Sequence, residues 1–402
     1  MKDDLKFEAV EKVSKFKFNY NKIRRLSKID TISPPSVFIG SKLKYPNVTV
    51  GILSPVEKED NVSIYDDARF WANNNFSIQN VLRLRENLLN SRFQSNVTDA
   101  RINNKFVGIA KDVAVALKPV DVEIEFKKQI SFDNKWDRVL TPHGLKAPLK
   151  NAKVVSNVKV HHKVDRVIND EIKTSEGMRY LYKNKFDEYA LQKVLSVGAL
   201  GLKKNKTLVP TRWSITATDD ILGKQIISDL RDYPVIRDYE LFFGDFMGNQ
   251  YLILLFPEVW SFELFELYYP GSSWNPSTEM KASTDYEGFK GRNTYASNCV
   301  GGYYAARLPI IEYLNSIKRQ ASVLAIRLEA PSYWAALGVW VVRESVRKAF
   351  NLGRISFESK KELLEGCKKI SKIKYDFDSQ VIFDKSILLK GLGEQKKLGE
   401  WF

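Results

Sequence analysis

Tyr239-Glu240-Leu241-Phe242-Phe243-Gly244-Asp245-Phe246-Met247-Gly248-Asn249-Gln250-Tyr251-Leu252-Ile253-Leu254-Leu255-Phe256 is the stretch whose reading decides the fold class. Two apolar runs, Tyr239 to Phe243 and Tyr251 to Phe256, flank the turn-forming segment Gly244 to Asn249. Aromatic and aliphatic runs of this length around a glycine-bearing turn predict a β-hairpin. Working outward, Thr207 to Thr216 reads as a strand interrupted at Pro210, and Thr218 and Asp219 are placed to cap a helix running to about Leu230. Phe186 to Val197 has the periodicity of an amphipathic helix, stopped by Gly198 and Gly201. Farther upstream, residues 100–175 suggest several strands, Val154 to Val160 among them. Residues 77–93 suggest a helix. Val37-Phe38-Ile39-Gly40 and Tyr45 to Gly51 read as short strands beyond the breaker Ser33-Pro34-Pro35, where the folded core is expected to begin.

Downstream, the chain turns polar between Pro270 and Gly291 and then changes character. Ile310, Ile311, Leu314, Ile317, Ala321 and Leu324 keep helical spacing, Val339 to Phe350 predicts another helix, and Ser359 to Glu362 has the spacing of a capping box. The expected class is α+β, a strand-rich mixed N-terminal domain followed by a mainly helical C-terminal domain. The expected division is a basic N-terminal arm (1–32), an α+β domain (33–285), a helical domain (286–390) and a flexible tail (391–402) that Gly391 and Gly393 loosen.

Bulk composition narrows the function classes. The 402 residues carry 63 Lys plus Arg against 48 Asp plus Glu, a net charge of +15. That balance favours a polyanionic partner, because cations that neutralise phosphates release condensed counterions. Two cysteines, Cys299 and Cys367, exclude a disulfide scaffold and a four-cysteine zinc site, and three histidines leave little for a histidine-based metal centre. No zinc finger and no cofactor are expected. The longest apolar stretch, Tyr333 to Val342, is about half of the roughly 20 residues that a membrane span requires, so a cytoplasmic protein without a membrane partner is expected.

The tail reads Gln395-Lys396-Lys397-Leu398-Gly399-Glu400-Trp401-Phe402. One helical turn brings Leu398, Trp401 and Phe402 to one side as a three-pronged apolar plug, with the Gln395 amide free to donate and accept at its rim. The segment resembles the clamp-binding box of PCNA-interacting proteins at all its defined positions. A given position in an ordinary sequence matches such a pattern with a probability on the order of 10⁻⁴.

Phe38-Ile39-Gly40 with Tyr45-Pro46-Asn47-Val48, Val209-Pro210-Thr211-Arg212-Trp213-Ser214-Ile215-Thr216-Ala217-Thr218-Asp219-Asp220, Gly301-Gly302-Tyr303-Tyr304-Ala305-Ala306-Arg307, and Gly338-Val339-Trp340-Val341-Val342-Arg343-Glu344 are similar to segments of the archaeal Nre family of DNA repair proteins. The resemblance runs from about residue 33 to the terminal box. It implies a role in the DNA damage response, an N- and a C-terminal family domain, an interaction with the archaeal sliding clamp PCNA, and a nucleoid-associated location. Some members carry an N-terminal four-cysteine finger; this chain has no cysteine before Cys299.

Two clusters are candidates for chemistry. Arg212 could grip a phosphate beside Trp213 while Asp219 or Asp220 holds a divalent metal or acts as a base, or the aspartates could serve a helix N-terminus. Gly301 and Gly302 precede a predicted helix carrying Arg307 and could bring backbone N–H groups to an anion, or could allow close packing. Arg292, with Lys290, Lys318, Arg319, Arg327, Arg343 and Arg347, makes this half a candidate DNA-facing surface on which Tyr295, Tyr303 and Tyr304 could stack. His161-His162 with Asp165 is a weaker acid–base candidate, and Glu258, Glu263 and Glu266 around Trp260 a weaker carboxylate group. The expected function is a DNA repair protein that binds the clamp and contacts DNA. The alternatives are a clamp-recruited nuclease or other nucleotide-handling enzyme, and a non-catalytic clamp adaptor.

Overall fold

The computed structural model describes residues 26–41, 44–128, 130 and 141–394. Most of the predicted basic arm, to residue 25, and the whole terminal box, Gln395 to Phe402, lie outside the described residues. The chain forms two compact units that divide between Leu222 and Gly223.

The first unit is built on a six-stranded sheet of order β1-β5-β6-β4-β3-β2. Its strands are β1 (Lys28–Ser33), β2 (Val37–Gly40), β3 (Asn47–Ser54), β4 (Leu89–Asn96), β5 (Val120–Phe126) and β6 (Lys146–Val154). Neighbours are antiparallel except β4 and β6, which run parallel. Helices α1 (Ala68–Asn73), α2 (Ile78–Glu86), α3 (Lys105–Val115), α4 (His162–Asn169), α5 (Thr174–Lys183) and α6 (Glu188–Ser196) follow in chain order. β5 alternates buried and half-buried positions along its whole length, as expected of a strand with one face on the core.

Several expectations shift here. The core begins before the Ser33-Pro34-Pro35 breaker, because Lys28 to Ser33 pairs with β5. The helix expected over 77–93 ends at Glu86, and Leu89 onward is strand β4. Among the described residues, the region 100–175 holds the strands β5 and β6, the helices α3 and α4 and the start of α5; Val155 to Val160 is outside any named strand. Asn104 caps α3 by accepting the N–H groups of Phe106 and Val107, a signal easily lost inside an otherwise strand-like composition.

Helix α7 (Thr211–Leu230) passes through the division. Pro210 opens it: the Pro210 carbonyl accepts the N–H groups of Trp213 and Ser214 at 2.8 and 2.9 Å. The expected strand Thr207–Thr216 is therefore a helix start from Thr211 onward. Pro210 precedes the first helical residue, Thr211, where its missing N–H has no intrahelical partner to lose.

The second unit holds a six-stranded sheet of order β10-β9-β11-β8-β7-β12. The predicted hairpin is β7 (Tyr239–Phe246) and β8 (Asn249–Phe256), joined by Met247 and Gly248 alone, both at positive φ. This two-residue turn matches the twist of the strands. β9 (Ser261–Tyr268), β10 (Lys281–Glu287), β11 (Ser322–Glu329) and β12 (Ile355–Phe357) complete the sheet, with β11 lying parallel to β9 and antiparallel to β8. The C-terminal stretch thus contributes the strand inserted between β8 and β9 as well as helices α8 (Val300–Ser316), α9 (Trp340–Asn351), α10 (Lys360–Tyr375), α11 (Gln380–Phe383) and α12 (Ile387–Glu394). Architecture of this kind is α+β.

The two faces of this sheet differ in chemistry. Leu252, Leu254, Phe256, Leu324, Ile326, Leu328, Phe265 and Leu267 point to one side and pack on Leu363 and Cys367 of α10 and on Leu388 and Leu389 of α12. Side chains alternate along a strand, so Asn249, Tyr251, Glu266, Arg327 and Glu329 project to the other side. The helix start predicted from the capping-box spacing holds at α10, where Ser359 accepts the Glu362 N–H at 3.2 Å; the return bond of the box is replaced, since Glu362 accepts the N–H of Glu358 rather than that of Ser359. Gly391 and Gly393, expected in a loose tail, fall inside α12. Glu263 anchors the start of that helix, its carboxylate accepting the N–H groups of Ile387 at 3.1 Å and Leu388 at 3.0 Å.

Candidate functional site

The polar face of the second sheet is assembled by strand register. β11 sets Arg327 opposite Glu266 on β9 and opposite Tyr251 on β8, and sets Glu329 opposite Asn249. The Arg327 guanidinium donates to Glu266 Oε1 at 2.6 Å, to Glu329 Oε2 at 3.0 Å and twice to Asn249 Oδ1. Tyr268 donates its hydroxyl to Glu266 Oε2 at 2.8 Å, and Glu329 Oε1 accepts the Trp274 N–H and the Ser273 hydroxyl. Every member of this group is buried or nearly so. Burial pushes the Glu329 carboxyl above its usual range, with Arg327 offsetting part of the effect. Arg327 itself is held firmly charged: burial opposes ionisation, but Glu266 and Glu329 outweigh it.

Gly301 and Gly302 lie inside the first turn of α8 rather than ahead of it. A Cβ on Gly302 would sit 2.3 Å from Glu266 Oε1, so the position is glycine because a carboxylate packs against the helix there. The free N–H groups leading into α8 already have an anion. Asp285 Oδ2 accepts from Asn298 at 2.9 Å and from Cys299 at 2.7 Å, which suits the positive end of the helix dipole. Close packing, the second of the two readings of the glycines, is what their surroundings fit.

Arg292 and Arg307 are brought together around Tyr303. Arg307 is 2% exposed, pairs with Glu287 at 2.7 Å, and lies 5.6 and 5.1 Å from the ring centres of Tyr303 and Tyr304. Arg292 pairs with Asp285 at 3.1 Å, donates to the Tyr286 carbonyl, and lies 5.4 Å from the same Tyr303 ring. Burial, then the Glu287 carboxylate, pushes the Tyr303 phenol well above its usual value. Planar guanidinium groups suit this role, since they stack on rings while keeping in-plane hydrogen bonds.

This arrangement changes the predicted DNA-facing surface. Arg307, Arg327 and Arg343 are interior, Arg347 is paired with Glu312 and Glu344, and Tyr303 and Tyr304 are buried; Lys290, Lys318 and Tyr295 remain exposed. Arginine in this half builds the fold, a use that residue type alone cannot distinguish from DNA contact.

On α7, Arg212 and Trp213 are exposed in the first turn, while Asp219 and Asp220 are buried at 0% and 5% exposure. Asp219 lies two turns beyond Arg212, about 10 Å along the axis. The helix therefore does not gather Arg212 and the aspartates into one site, and the aspartates do not cap its start. Among the described residues, no group of three or more His, Cys, Asp or Glu side chains is arranged to hold a metal ion. His161 accepts the Lys163 N–H at the start of α4 and stacks on His162, a local capping arrangement. Glu263 and Glu266 serve opposite faces of β9, Glu263 toward α12 and Glu266 toward Arg327.

A buried polar group and a basic cleft in the first unit were not singled out from the sequence. Asp66 is held below the usual carboxylate range: burial opposes ionisation, but Lys193 and Arg85 outweigh it, at 3.2 and 2.5 Å. His143 donates from Nδ1 to the Gly144 carbonyl at 2.8 Å, which leaves Nε2 to accept from Asn90 and Arg92. The reverse orientation of the Asn90 amide would require a doubly protonated ring, which burial disfavours. The second group is a basic cleft. Arg101, Glu171, Leu202, Lys203 and Lys204 line an open cavity of about 610 Å³. The run Lys203-Lys204-Asn205-Lys206 was its visible signal in the sequence.

Comparison with known proteins gives the chain its family. The archaeal Nre N-terminal pattern matches residues 6–275 and the archaeal Nre C-terminal pattern matches residues 287–401. A protein of Haloferax volcanii named DNA repair protein NreA is 39% identical over 322 residues, covering 79% of this chain and 76% of that one. Two proteins of Archaeoglobus fulgidus are similar. DNA repair protein NreA is 40% identical over 348 residues, 86% of each chain, and DNA repair protein NreB is 36% identical over 371 residues, 92% of this chain and 90% of that one. No solved structure matches the chain. With both family patterns in order, and relatives of 36–40% identity along most of its length, this chain belongs to the archaeal Nre family.

Proposed function

We propose that this protein is a DNA repair factor tethered to the sliding clamp PCNA by Gln395 to Phe402, with a basic body that contacts DNA. The carrying observation is the spacing of the tail: Gln395, Leu398, Trp401 and Phe402 at positions 1, 4, 7 and 8 of a terminal octapeptide. Support for the process comes from the relatives, which are named DNA repair proteins. Support for DNA contact comes from the net charge of +15. The octapeptide directly follows α12, which Glu263 and the apolar side chains Leu388 and Leu389 hold to the second sheet. A short anchor on a fixed stem loses little reach and less chain entropy than one on a long linker. Isothermal titration of the clamp with the full chain, and with residues 395–402 deleted, tests the proposal: deletion is expected to abolish the heat of binding.

A further inference from the structure

We infer that the cleft lined by Arg101, Lys203 and Lys204 in the first unit, with Lys111 and Lys206 beside it, binds the phosphate backbone of a nucleic acid. This deepens the reading that the body contacts DNA, and rests on it. The cavity of about 610 Å³ is walled by Arg101, Lys203 and Lys204, with Leu202 and a single acid, Glu171. Lys206 and Lys111 lie beside this lining. The Lys206 ammonium is fixed on the Ile168 carbonyl at 2.6 Å, the Lys111 ammonium on the Ala100 carbonyl at 2.6 Å, and Arg101 donates to the Lys206 carbonyl at 2.9 Å. The Glu171 carboxylate faces the backbone N–H of Lys203 at 3.3 Å.

Several cations of the first unit have carboxylate partners. Lys28 pairs with Glu123, Lys58 with Asp121, Lys193 and Arg85 with Asp66, and Arg69 with Glu188. Among the described residues, none of the five cleft cations forms an ion pair. Three positive groups in the lining thus face one carboxylate, Glu171, and Lys206 and Lys111 add positive charge beside them, offset at Lys111 by Asp112. Burial and then the neighbouring Lys206 push the Lys111 ammonium below its usual value, and burial pushes Lys206 down although Glu171 opposes it. Crowding of like charges inside a Debye length costs free energy that a polyanion relieves. No aromatic side chain lines the cavity, so base stacking has no platform there and recognition falls on phosphate charge.

The test uses the full chain and fluorescein-labelled duplex and single-stranded oligonucleotides of mixed sequence, read by anisotropy across a salt series. Lys203→Glu with Lys204→Glu reverses two exposed charges in the cleft. Lys290→Glu with Lys318→Glu makes the same charge change on exposed lysines of the second unit. The cleft variant is expected to bind at least tenfold more weakly, with the salt slope reduced by roughly 1.8 for duplex DNA; the second-unit variant is expected to stay within threefold of the parent, and both to keep its melting temperature. DNA binding by the parent that the cleft variant retains in full overturns the cleft assignment and leaves DNA contact standing elsewhere. Salt-independent or undetectable binding by the parent overturns both. Inorganic phosphate that competes as well as DNA, at equal phosphate concentration, overturns the nucleic-acid assignment in favour of a small-anion site.

Discussion

Gly302 and Glu266 occupy one another's space: the first turn of α8 approaches β9 so closely that a methyl group on Gly302 would meet Glu266 Oε1 at 2.3 Å. Glu266 is not free to yield, because Arg327 and Tyr268 hold both its oxygens. Gly302→Ala is therefore expected to cost about 1–3 kcal/mol of stability, as overpacking does. Chemical denaturation checks it; an unchanged midpoint would mean that α8 can slide on the sheet.

Arg327 compensates two buried carboxylates at once, Glu266 and Glu329. Arg327→Met removes the cation and keeps the bulk. Uncompensated buried charge typically costs about 3–5 kcal/mol, so the variant should unfold at markedly lower denaturant or fail to accumulate. Its deficit should shrink as pH falls and the Glu329 carboxyl, pushed up by burial, protonates, a trend that lost packing alone would not produce.

Glu263 caps α12, the helix preceding the terminal box. Glu263→Gln keeps the shape and removes the charge. The expected loss is about 1–2 kcal/mol, the scale of a charge-assisted helix cap. Clamp affinity should stay within a few-fold, since the binding residues lie beyond the helix. A collapse of clamp affinity at full stability would show that the box extends into α12.

Two groups in the first unit give opposing pH slopes. Burial lowers His143 to about 3, so its neutral form is the folded one; stability is intact above the ordinary histidine pKa and declines as pH falls below about 6.5. By pH 5 the loss from this residue alone reaches roughly 2 kcal/mol. Burial raises Glu86 to about 7, so its contribution is present at low pH and is lost as pH rises through that value. Glu86→Gln should therefore raise the melting temperature at pH 8 and leave it nearly unchanged at pH 4. Equal effects at both pH values would place Glu86 in water.

How much of this was legible beforehand follows from where the signals reside. The hairpin Tyr239–Phe256 was readable because its determinants are local: two apolar runs and a turn. The helix start capped by Ser359 was readable for the same reason. Pro210 misled, because proline both interrupts strands and opens helices, and which it does here depends on Ser196 and Ile39, which engage Val209 and Thr211 from distant segments. The acidic and basic residues of the second sheet were visible one by one, but their roles were set by register. β11 enters between β8 and β9 from across the composition change near residues 270–291, and only that pairing places Arg327 between Glu266 and Asn249. Exposure decided the rest, for the same arginine type builds the interior at position 307 and remains in water at position 212.

The central claim is that Leu398, Trp401 and Phe402 are a clamp anchor. Titration of the archaeal clamp with the full chain carrying Trp401→Ala and Phe402→Ala, alongside the parent, tests it most directly. Aromatic anchors of this kind carry about 2 kcal/mol or more each, so the account predicts a loss of affinity of roughly a thousandfold for the pair, with the melting temperature within about one degree. Undiminished clamp binding by the doubly substituted chain would contradict it, and so would a large fall in melting temperature, which would assign both rings to the core.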